Sequence, residues 1–277
     1  MKSRLRLAGA ALSVFALVAC ATYPVNPPLL QYDSQAGYRF QNLKGPDNSD
    51  SLFVILTFSG GGTRAAALAY GVMEKLKKIK IRWEGRERSL LDEVDVISSV
   101  SGGSFTAGYY GLFQEELFEP EKFEKVFLYR NIEGELIRSL FNPINWVRLA
   151  SPTFGRIELA AELYDKEIFR ERTFADLIKR GRRPFILLNA TDMTMGSQFT
   201  FIQDQLDLLC SDLSGVPVGR AVAASSNFPI AFTPLIMNNY GHCGYKGPGW
   251  MASAAKDLTV NPSRFNRGRI EIGRAHV

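Results

Sequence analysis

The chain has 277 residues, 46% of them hydrophobic, and a formal net charge of +5, a length that can bury a sizeable core. Residues 1–19 carry Lys2, Arg4 and Arg6 and no acid, so +2 remains without them, and that balance gives no support to a nucleic-acid role. Two histidines, three cysteines and no Cys-x-x-Cys leave no metal site to expect, and neither calcium nor any other cofactor is implied.

The first element is a targeting segment. Met1-Lys-Ser-Arg-Leu-Arg6 is a basic start, Leu7 to Ala16 a short apolar run, and Leu17-Val-Ala-Cys20 a lipobox. The apolar run is too short to be read as a membrane span. The pattern resembles a bacterial lipoprotein signal cleaved before Cys20, whose thiol and new amino group then carry acyl chains; an uncleaved anchor is the alternative. Ala21 at the second mature position points to the outer membrane of the cell envelope. Residues 1–19 are thus expected to be a signal peptide, 20–47 a proline-containing polar tether, and 48–268 one domain.

Within that domain, apolar strands near 52–58, 94–100 and 185–190 alternate with helices near 65–78, 102–113 and 217–225. This is the order of an α/β fold with a mainly parallel central sheet flanked by helices. A further strand is expected over 198–203. Glu115 to Arg180 reads as a helical insertion containing Phe118, Phe123, Phe127, Phe141, Trp146 and Phe154. Such aromatics serve a core or, alternatively, a lid or acyl-chain groove. The basic runs Lys75–Lys80 and Lys179–Arg183 read as solvated helix ends, with anionic headgroups as the other candidate.

Two strand ends carry the chemistry. The first strand runs into Ser59-Gly60-Gly61-Gly62-Thr63-Arg64 and then a helix. Glycines let backbone N–H groups approach a developing negative charge, and the helix directs its positive end to the same place. The strand 94–100 ends in Ser99-Val100-Ser101-Gly102-Gly103, a variant of the G-x-S-x-G nucleophile elbow with serine in the first glycine position. Ser101 is the candidate nucleophile, because among its serine neighbours it alone has small residues at both −2 and +2. Gly60-x-Gly62-x-x-Ala65 also fits a loose dinucleotide pattern. That reading needs a strand and a ribose-binding acid about 20 residues on, and Glu84, Glu87 and Asp92 lie in a charged stretch with no clear strand before it.

Together with Ala221-Val-Ala-Ala-Ser-Ser-Asn-Phe-Pro-Ile-Ala-Phe-Thr-Pro234, these motifs resemble the patatin-like phospholipases over about residues 50–235, in family order. The resemblance implies a three-layer fold and a lipid acyl hydrolase acting on membrane lipid or another fatty-acyl ester through a Ser-Asp dyad. Gly61 and Gly62 would then give oxyanion donors, Gly60 would permit the turn, and Arg64 would lie near the anionic part of the lipid. A histidine-poor chain suits a dyad in which a carboxylate deprotonates the serine, and neither His242 nor His276 is an attractive base. The family aspartate sits in an Asp-Gly turn, and no Asp-Gly occurs here. After Ser101 the aspartates are Asp165, Asp176, Asp192, Asp204, Asp207, Asp212 and Asp257. Residues 271–277 match the translation of a common sequencing adapter, so 269–277 are expected to be a foreign tail and the dyad aspartate to be lost with the natural end. An inactive fragment follows from that expectation. The alternative is a non-catalytic patatin-like lipoprotein that binds lipid or a protein partner. Cys210 and Cys243 are left either to pair in an oxidising compartment or to stay as buried thiols.

Overall fold

Strand β1 (Val54–Phe58) lies parallel to β4 (Val94–Val100), and β4 parallel to β5 (Phe185–Asp192), so the three strands expected from the sequence are direct neighbours. The computed structural model describes residues 26–45, 48–151, 154–193, 196–228, 232–247 and 269–274. The signal segment, Cys20, Asp257 and His276 lie outside these. Between β1 and β4 run helix α1 (Gly62–Lys78) and a hairpin of β2 (Lys80–Trp83) and β3 (Arg86–Ser89). After β4 come α2 (Gly102–Phe113), α3 (Ile132–Leu140), α4 (Pro143–Leu149), α5 (Arg156–Glu167) and α6 (Phe174–Arg180). After β5 come β6 (Ser197–Thr200), α7 (Gln203–Asp207), α8 (Val218–Ser225), β7 (Leu235–Asn238) and β8 (Arg269–Arg274).

β4 and β5 read as apolar runs because they are central: Val94, Val96 and Ile97 on one and Phe185, Ile186, Leu188 and Ala190 on the other are all buried. β1 alternates half-buried and exposed residues, as a strand at one edge of the sheet does. β6 folds back antiparallel on the second half of β5. β8 lies antiparallel between β5 and β7 with Ile272 fully buried, so residues 269–274 of the expected foreign tail are placed as a sheet strand. The centre of the sheet, β1, β4 and β5, is parallel and flanked by helices, the α/β class expected, and β6, β8 and β7 are added antiparallel.

The sequence reading found no strand after α1. One is present, but β2 pairs only with β3, in a two-stranded sheet apart from the central one. The strand that follows beside β1 is β4, and its C-terminal end carries Ser99, Val100 and Ser101 rather than a ribose-binding acid. Residues 26–45, within the stretch expected to be a tether, pack on the domain. The Tyr38 hydroxyl accepts the Ile186 N–H at 2.8 Å, and buried Arg39 pairs with Asp204 at 2.7 Å and Asp207 at 2.6 Å. A buried guanidinium needs such partners, and two carboxylates on α7 supply them.

Cys210 and Cys243 form a disulfide, which closes the alternative the sequence left open. Arg183, from the second basic run, is no solvated charge: it pairs at 2.7 Å with Asp95, itself fully buried at the start of β4. Lys77 and Lys78, from the first run, pair with Glu115 and Glu74 on the surface. No helix among the described residues is long and apolar enough to cross a membrane.

Candidate active site

The turn after β1 places its unusual backbone at Gly61, with φ 140°, and Gly62, with φ 61°. Both angles lie in the region that side chains disfavour, so the turn's permission comes from the second and third glycines rather than from Gly60. Gly61 is the N-cap of α1 and Gly62 its first residue. Their amides have no partner four residues back in the helix.

The turn after β4 is the elbow. Ser101 has φ 52° and ψ −118°, a strained conformation for a residue with a side chain, and it is the N-cap of α2. Such an outlier is worth on the order of 1–3 kcal/mol and persists only where the surroundings enforce it. Here they do. A methyl group on Gly102 would come within 2.1 Å of the Gly62 carbonyl oxygen, and one on Gly103 within 2.6 Å of the Phe58 Cβ. Backbone therefore packs directly on backbone, and the two glycine turns form one unit. Thr106 adds a tie by donating from Oγ1 to the Ala66 carbonyl at 2.9 Å, which holds α2 on α1.

Below the elbow lies a buried hydroxyl network. Ser225, at the end of α8, accepts the Ser101 N–H at 2.9 Å and donates to the Asn189 carbonyl at 2.6 Å. Ser104 lies 2.9 Å from Ser225 Oγ and donates to Ser99 Oγ at 3.2 Å, while Ser99 donates to the Leu187 carbonyl at 3.1 Å. The Asn189 amide is held in turn by Ser98, the Ser99 carbonyl, Gln198 and Thr200. Ser99 thus stands in the first elbow position as a tie to β5 as well as a small residue. α8 is anchored by the buried pair of Arg220 with Glu158 on α5.

A cavity of about 450 Å³ opens over this unit. Its floor includes Gly62, Thr63, Ser101 and Gly102, and its walls are mostly apolar: Phe105 and Phe127, Ile132, Leu136, Ile137 and Leu140 of α3, and Leu159, Tyr164 and Phe232. Burial pushes the Tyr164 phenol up to about 12, so it remains a neutral hydroxyl across the physiological range. Two helix N-termini and a buried serine hydroxyl at the end of an apolar slot can bind an acyl ester with its carbonyl oxygen among amide donors.

A family model described as patatin-like phospholipase matches residues 56–248. The chain belongs to the patatin-like phospholipase family. Among solved structures, human GIVD cytosolic phospholipase A2 in complex with a methyl gamma-linolenyl fluorophosphonate inhibitor and terbium chloride is similar over 80% of this chain, at 19% identity and a TM-score of 0.42. The chain spans 35% of that protein's length. No curated protein matches.

Within this patatin-like domain the sequence candidates fall as follows. Ser101, Gly62 and Gly102 meet at the cavity floor, with Gly61 capping the helix beside them and Gly103 and Ser99 packed beneath. Arg64 is exposed on the first turn of α1 and does not line the cavity; Arg156 and Glu133 do. Sequence reasoning missed Arg156 and the α3 wall, although Ile132, Leu136 and Leu140 repeat every four residues along one helical face. Of the insertion's aromatics, Phe127 lines the cavity, Phe123 and Phe154 are buried, Phe118 is half-buried, and Phe141 and Trp146 face outward.

Several aspartates have structural duties. Asp176 closes the capping box of α6, Asp204 and Asp207 hold Arg39, and Asp212 accepts the Ser214 N–H. Asp165 on α5 has a buried carboxylate oxygen without a partner, and burial, reinforced by Glu171, pushes it up to about 6. Among the described residues no carboxylate hydrogen-bonds the Ser101 hydroxyl.

Proposed function

We propose that this domain is a lipid acyl hydrolase of the phospholipase A, lysophospholipase or esterase type. Ser101 attacks the ester carbonyl, forming a bond from Oγ to the acyl carbon, and the tetrahedral oxyanion is held by the Gly61 and Gly62 amides. The carbon–oxygen bond to the alcohol then breaks, the alcohol takes the serine proton, and water releases the fatty acid in a second step. The observation that carries this reading is the strained Ser101, locked backbone to backbone against the Gly61–Gly62 turn on the floor of an apolar cavity. The base in this reading is an aspartate, as in the family dyad. Membrane attachment through a lipidated Cys20, at the outer membrane, belongs to the same proposal.

The mostly apolar walls of the cavity support a second reading, a non-catalytic member that holds lipid in the same cavity. The two are separated by measuring hydrolysis of a fluorogenic medium-chain ester by the chain and by Ser101→Ala. A loss on the order of 10³-fold or more in the variant supports the hydrolase. Equal rates in both proteins remove Ser101 as nucleophile. No turnover in either, with the ester still bound, leaves the chain a binder of acyl esters.

A further inference from the structure

We infer that the corner formed by α3 and α4 is a docking surface for an anionic lipid bilayer, placed so that acyl chains pass from the bilayer into the cavity over Ser101. The use of the cavity rests on the acyl-ligand reading above, while the docking itself does not.

Three observations carry it. First, the corner is apolar on its outside: Phe141 is 70% exposed, Ile144 69%, Trp146 59% and Ile137 48%. Ile137 and Leu140 also line the cavity, so the apolar surface runs unbroken from the slot to the exterior. An exposed patch of this kind marks a binding face.

Second, the corner is basic beyond the first turn of α3, which itself carries Glu133, lining the cavity, and Glu135, paired with Arg130. Residues 136–157 contain Arg138, Arg148 and Arg156 and no aspartate or glutamate. Arg138 is exposed, whereas Arg148 is shared with Glu162 of α5. Cations at the edge of an apolar face are attracted to anionic headgroups. A second copy docking through the same face would bring like charges together around a two-fold axis, which disfavours it as the occupant.

Third, the polar groups of the corner are already satisfied within it. The Trp146 indole N–H donates to the Leu140 carbonyl at 2.5 Å, so its ring can enter a nonpolar layer without giving up that bond. Asn142 caps α4 by accepting the Ile144 N–H at 3.0 Å, Pro143 starts the helix, and buried Asn145 donates to the Ser139 carbonyl at 2.8 Å. Docking then requires little new ordering.

The test uses the full chain with vesicles of phosphatidylglycerol or of phosphatidylcholine. Trp83→Phe and Trp250→Phe leave Trp146 as the single indole, and its emission should shift to shorter wavelength with the anionic vesicles and much less with the zwitterionic ones. That signal reports entry of this ring whatever the N-terminal segment contributes to sedimentation. In the Trp146-only chain, Phe141→Ser with Ile144→Ser should weaken the vesicle affinity read from the shift about tenfold or more. The control pair Leu68→Ser and Val72→Ser, on the exposed face of α1, should leave it unchanged. A chain that co-sediments with no emission shift overturns the proposal. So does an equal loss in the control pair, or a dimer that Phe141→Ser with Ile144→Ser dissociates without altering vesicle binding. Hydrolysis sorts the failures: a docking chain with no turnover sinks only the hydrolase, and turnover with no Trp146 shift sinks only the docking surface.

Discussion

The elbow and the α3–α4 corner border the same cavity, yet they are built in contrasting ways. At the elbow, backbone touches backbone, the hydroxyls of Ser99, Ser104 and Ser225 are buried and paired, and the strained Ser101 is held through its own N–H and the glycines that follow it. At the corner, large apolar side chains stand in solvent and the polar groups are satisfied locally within two short helices. A site that must hold reacting atoms to a fraction of an ångström belongs on rigid elements, whereas a surface that meets a fluid ligand needs area and the right charge.

The comparison is broken most severely by Gly102→Ala. The new methyl must move the Gly62 backbone, so we expect a loss of about 3 kcal/mol in urea denaturation and separation of the two turns. A change below about 0.5 kcal/mol would show that the elbow is far softer than its geometry implies. Ser225→Ala comes next. It strips the Ser101 amide of its acceptor and Ser104 of a partner, at about 1–2 kcal/mol, with greater protease sensitivity near residue 101 as a second readout.

Asp165→Asn acts in the other direction and depends on pH. The folded carboxyl is raised to about 6 against about 3.9 for an unfolded aspartate, so the folded state binds more protons between those values and loses stability as pH rises through them. Asparagine should therefore be neutral below about pH 4 and stabilise above about pH 6, by about 1 kcal/mol once the group's partial exposure is allowed for. Urea denaturation at pH 4 and pH 7.5 reads the difference; equal effects at both would remove the titration argument. The smallest effect is expected from Phe141→Ser or Ile144→Ser, within about 0.5 kcal/mol of the wild-type stability, since neither side chain contributes to the core.

Local chemistry made the elbow legible in the sequence. Ser101 and its glycines follow a seven-residue apolar strand, and a serine set between small residues at a strand end marks a sharp turn without help from any distant segment. The partners of the elbow were not legible, because Ser225 and Asn189 lie 124 and 88 positions away and a serine or asparagine carries no periodic signal of its own. The β2–β3 hairpin escaped for a related reason: Lys80 to Ser89 is charged and only partly buried, so the apolar alternation that marks a strand is absent. The α3 wall did carry a signal, a four-residue repeat, but the same repeat marks any half-buried helix.

By itself the sequence determined the class of fold, the two strand-to-helix turns and the candidate nucleophile, because each depends on residues that are neighbours in the chain. Only the tertiary structure decided that the Gly61–Gly62 turn and the Ser101 elbow lie in contact, that Arg156 rather than Arg64 lines the cavity, that Arg183 is tied to Asp95, and that Cys210 joins Cys243. Those facts depend on which distant segments meet when the apolar faces are buried, and contacts of that kind leave no mark at fixed spacing along the chain.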